Sequence, residues 1–73
     1  MNKVEKHFGM EYHFTSKIMH GKKGDIEIFN VEVKNNFGLI IMYFKATEIV
    51  EAKNYFILKF NSIPVGILLK DKS

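Results

Sequence analysis

Three histidines, His7, His13 and His20, are the only imidazoles in this 73-residue chain and the first place to look for chemistry. A zinc or iron site needs at least three converging N, O or S ligands. On a regular strand His13 and His20 point to opposite faces, and His7 falls in a start expected to fray. The spacing therefore predicts solvated histidines and no metal site. Glu11 and His13 do share a face, two residues apart, the arrangement in which a carboxylate orients an imidazole as general acid or base. No nucleophile accompanies them: Ser16, Ser62 and Ser73 lie in no nucleophile-elbow pattern, and there is no cysteine. Gly21-Lys22-Lys23-Gly24 lacks the spacing and the following helix of a phosphate cradle and reads as a hairpin tip. Glu48 and Glu51, three apart, fit a solvated face better than a catalytic dyad. The expectation is a protein without catalytic residues and without a cofactor.

Such a chain holds one domain, because a core divided in two at this length would bury too little surface. With 47% hydrophobic and 26% charged residues it has the material to fold, and enough Ile, Leu, Phe and Met to leave apolar area uncovered. The absence of cysteine removes disulfide stapling and points to a reducing interior. No apolar run reaches the length of a leader's core or a membrane span, so a cytoplasmic protein without membrane contact is expected. The formal charge is +3, carried by eleven lysines and no arginine. Together with abundant Ile, Asn and Phe, this fits the A+T-rich codon bias of low-GC bacteria and their phages and mobile elements. The lysines are scattered rather than blocked, which gives a polyanion only weak support.

The elements read mainly as strands. Phe8, Met10, Tyr12, Phe14 and Ile18 alternate with polar residues, giving a half-buried strand that turns at Gly21 to Gly24. The next strand, about Asp25 to Lys34, changes parity, which predicts a β-bulge near Ile28 to Asn30. Asn35-Asn36 marks a turn into Leu39 to Phe44, apolar on both parities as a central strand would be. Ala46 to Asn54 has Thr47 as a cap and Glu48 in a first turn, and so predicts one short helix or a turn. Tyr55 to Phe60 and Val65 to Leu69 complete the set, with Pro64 at a strand entrance. The result is one small β domain over residues 1–73, with 1–7 frayed: a five-stranded meander or barrel whose element order resembles the OB and SH3-like barrels.

If Ile40, Met42 and Phe44 face the core with Phe56, Leu58 and Phe60, the opposite parity presents Ile41, Tyr43 and Lys45 beside Tyr55, Ile57 and Lys59. As neighbours, these rows would form an apolar and aromatic platform edged by lysine. That composition suits a protein interface. It equally suits stacked bases with lysines on phosphates. The first expectation is a small non-catalytic binding protein acting through protein–protein contact, as a regulator, inhibitor or accessory subunit, and forming a homo-oligomer. The alternative is a single-stranded nucleic-acid-binding module, against which stands the lack of arginine.

Overall fold

Alternating apolar residues and four tight turns dictate a chain of antiparallel hairpins, and the computed structural model, which describes residues 1–71, contains seven strands. They are β1 (Asn2–His7), β2 (Met10–Gly21), β3 (Gly24–Lys34), β4 (Ile40–Ala46), β5 (Glu48–Glu51), β6 (Tyr55–Phe60) and β7 (Ile63–Leu69). They form two antiparallel sheets packed face to face. The first has the order β1-β2-β3-β4 and the second β5-β6-β7.

Each connection has a local cause. Phe8 and Gly9 both take positive φ (55° and 73°), as do Asn61 and Ser62 (52° and 67°). These two-residue turns have the backbone hand that matches the twist of the flanking strands. Between β3 and β4 the Asn35 side-chain carbonyl accepts the N–H groups of Phe37 and Leu39 at 2.9 and 3.0 Å. Between β4 and β5 the chain crosses from one sheet to the other at Thr47. There the Thr47 N–H donates to the Lys59 carbonyl at 2.7 Å, and the Asn61 N–H donates to the Thr47 hydroxyl at 2.8 Å.

The core lies between the sheets. Tyr12, Phe14, Val31, Val33 and Ala46 come from the first; Phe56, Leu58 and Leu68 come from the second. The rings of Phe14 and Phe56 meet with centroids 5.1 Å apart. The Tyr12 hydroxyl crosses the core to donate to the Leu69 carbonyl at 2.8 Å. Along the β1 edge the inward row is charged: Lys3, Glu5 and His7 stand opposite Phe14, Tyr12 and Met10. Lys3 pairs with Glu5 at 3.0 Å and approaches Glu51 at 4.0 Å, Glu51 pairs with Lys70 at 3.2 Å, and the Lys70 ammonium sits 4.7 Å from the Phe56 ring centroid. Inward charge of this kind also keeps an edge strand from pairing with another chain.

Several expectations are corrected. Among the described residues the sheets do not close into a barrel, and there are seven strands rather than five. Residues 1–7, expected to fray, contain β1, held by its full register with β2. Ala46 to Asn54 holds no helix: Ile49 and Val50 favour extended backbone, and Thr47 bonds to Lys59 instead of capping. β2 and β3 pair without interruption, and the bulge falls instead at Val33/Lys34, against β4. Leu39 to Phe44 supplies an edge strand, not a central one, and Ile40 and Met42 are exposed.

Candidate functional site

The titratable groups singled out by type are dispersed. His7 lies 3.3 Å from Glu5, His13 3.2 Å from Glu11 and His20 2.8 Å from Asp25, as three separate pairs. Among the described residues no group of three or more His, Cys, Asp or Glu is placed to hold a metal ion. The His13 hydrogen bond, helped by nearby lysines, holds the Glu11 carboxyl below its ordinary range. Ser16 accepts the terminal ammonium at 2.7 Å and donates to Glu27 at 3.0 Å. These are the contacts of a polar surface that pairs its own charges.

The two rows expected to form one platform lie on different sheets. Ile41, Tyr43 and Lys45 face outward from β4 in the first sheet; Tyr55, Ile57 and Lys59 face outward from β6 in the second. The change of sheet at Thr47 is the cause, since rows of matching character on the two strands end on the outer surfaces of two packed layers.

The outer surfaces differ in chemistry. On the first sheet the cross-strand rows read Val4, His13, Glu32, Tyr43; Asn2, Thr15, Asn30, Lys45; and Lys6, Glu11, Lys34, Ile40, with Lys17 opposite Ile28 and Met19 opposite Ile26 toward the β2–β3 tip. The Tyr43 hydroxyl donates to the Asn30 side chain at 2.8 Å. Polar residues dominate the centre of this face, as on a solvated antiparallel sheet, while Met19, Ile26 and Ile40 are exposed toward its ends. On the second sheet the rows read Val50, Ile57, Ile67 and then Tyr55, Leu69, with Glu48 and Lys59 paired across strands at one end. Ile67 is 60% exposed, Leu69 59% and Tyr55 39%. The inner face of this same sheet supplies Phe56, Leu58 and Leu68 to the core. The second sheet is thus apolar on both faces and covered on one.

Its apolar surface continues round the β7 edge. Ile67 and Leu69 there join Phe8, Met10 and Met42 in lining a groove of about 260 Å³ between the edges of the two sheets. Sequence reasoning reached Tyr55, Ile57 and Lys59 of this face and missed Val50, Ile67 and Leu69. The missing signal was the run Ile67-Leu68-Leu69, apolar on both parities at the chain's last strand. A separate cleft of about 390 Å³ on the first sheet is lined by Lys17, Met19, Tyr43, Lys45 and, from the second sheet, Phe60.

Among the described residues no helix is long and apolar enough to cross a membrane. No family model, curated protein or solved structure matches the chain.

Proposed function

We propose that this small all-β protein is non-catalytic and works by docking on a polypeptide through the outer face of its second sheet, in the manner of a regulator, inhibitor or accessory subunit. The observation that carries this reading is the three-stranded sheet with apolar residues on both faces. An antiparallel sheet exposed to water alternates apolar and polar residues, whereas one packed on both sides does not. Val50, Ile57, Ile67, Tyr55 and Leu69 have the composition of a covered layer. Contiguous apolar surface rimmed by charge is the usual mark of an interaction site.

A second reading, binding of single-stranded nucleic acid in a reducing cytoplasm, finds support in the cleft on the first sheet. There Lys17 and Lys45 lie near the rings of Tyr43 and Phe60, with no carboxylate among the lining residues. The experiment that separates the two is affinity capture from nuclease-treated extract of the source cell, with wild-type, Ile67→Lys and Lys45→Ala baits. Docking through the second sheet gives a polypeptide retained by wild type and Lys45→Ala and lost by Ile67→Lys. Nucleic-acid binding gives retention that disappears with nuclease and depends on Lys45.

A further inference from the structure

We infer that the occupant of the second sheet's outer face is a second copy of the chain, packed sheet to sheet about a two-fold axis. The inference rests on the docking reading above and names its partner. Val50, Ile57, Ile67 and Leu69 with the single aromatic Tyr55 make an aliphatic centre, like half of a core, bounded at one end by Glu48 and Lys59. Homodimer interfaces have that character; interfaces that form and dissolve are more polar and rely on aromatic and arginine anchors. This chain contains no arginine at all.

The register supplies the symmetry. The row Val50, Ile57, Ile67 crosses all three strands through the middle of β6. A two-fold axis along this row stacks it on its own copy, runs β6 antiparallel over β6, and sets each Lys59 above Tyr55 of the other molecule. The two Lys59 then stand about 14 Å apart along the strands, beyond a Debye length of about 8 Å. The ammonium groups meet ring and solvent rather than each other. An axis parallel to the strands would instead bring Lys59 against Lys59, which excludes it. The packed layers repeat the arrangement that each chain already uses inside itself, with sheets about 10 Å apart.

The chain as a whole carries surface in excess of a compact monomer, of the order that one partner gives to an interface. A compact monomer of 8.5 kDa exposes about 4,650 Å². The chain exposes 5272 Å², a surplus of about 600 Å². One partner contributes about 800 Å² to an interface of ordinary size.

Sedimentation equilibrium of the purified full chain tests the inference, using wild type, Ile67→Lys, Leu69→Lys and, as a control on the other sheet, Tyr43→Ser. The expected result is twice the monomer mass at micromolar concentration for wild type and Tyr43→Ser. Dissociation should be at least about tenfold easier for both lysine variants, with circular dichroism unchanged. A wild-type monomer across that range overturns the inference, as does a dimer indifferent to both lysine variants. The docking reading survives a monomer if nuclease-treated capture still yields a different polypeptide that depends on Ile67. It falls with the inference if no Ile67-dependent polypeptide is found.

Discussion

Gly66 of β7 lies directly under the ring of Phe44 of β4, so close that a Cβ built on Gly66 would overlap Cε1 and stand 2.9 Å from Cζ. This contact sets how near the edges of the two sheets come. Gly66→Ala should cost about 1–3 kcal/mol, the usual range for overpacking a well-filled site. Combining it with Phe44→Leu should recover part of the loss. Urea denaturation of the two single variants and the double variant measures the coupling, and simple additivity would show that the glycine is not there for the ring.

Tyr12 offers a second tie between the sheets. Its ring is buried and its hydroxyl donates to the Leu69 carbonyl. Tyr12→Phe keeps the packing and leaves that carbonyl without its donor, an expected loss of about 1–2 kcal/mol in urea unfolding.

Thr47 holds the crossover by donating to Lys59 through N–H and hydroxyl and by accepting from the Asn61 N–H. Thr47→Val preserves shape and removes the hydroxyl. The expected cost is about 1 kcal/mol, accompanied by faster amide hydrogen exchange at Asn61.

Stability should fall at both ends of the pH scale. Burial by itself would raise the Glu5 carboxyl, but the hydrogen bonds and charges of Lys3 and His7 prevail and hold it below its ordinary value. A lowered folded-state value gives stability that is full above the unfolded value of about 4.3 and is lost as pH falls through the folded one. At the alkaline end the hydrogen bond to Glu5 raises Lys3, and burial raises Tyr12. The Lys3 contribution is present below its unfolded value of about 10.4 and is lost as pH rises through the folded one. For Tyr12 the unfolded phenol ionises first, so the same rise in pH favours unfolding. Glu5→Gln should flatten the acid limb of a melting-temperature profile, and Tyr12→Phe the alkaline limb. An acid limb unchanged by Glu5→Gln would remove Glu5 from the account.

Much of the fold was legible because period-two alternation and turn residues are local signals. Phe8 to Ile18, the Gly21–Gly24 tip, the Asn35 turn and Tyr55 to Phe60 all stand where their patterns put them, apart from Phe8 itself and from Ile18, which lies in β2 but is exposed. Phe8 fell in a turn because Gly9 and the β1 pairing outweighed its apolar character. β1 was illegible for a related reason. Its inward residues are Lys3, Glu5 and His7, whose burial depends on Glu51 and Lys70 far along the chain. The candidate site was half legible. Parity on β6 identified Tyr55, Ile57 and Lys59, but only sheet topology says that β4 lies in the other layer and that β7 brings Ile67 and Leu69 alongside.

The central claim, that the outer face of the second sheet is a covered surface, is tested most directly by methyl NMR with a soluble paramagnetic agent in nuclease-treated source extract. The methyl groups of Val50, Ile57, Ile67 and Leu69 should be shielded from the agent, while those of Val4 and Ile41 on the first sheet relax as freely exposed groups. Full relaxation of Ile67 and Leu69 would contradict the claim, and shielding of Val4 and Ile41 beside it would move the docking surface to the first sheet.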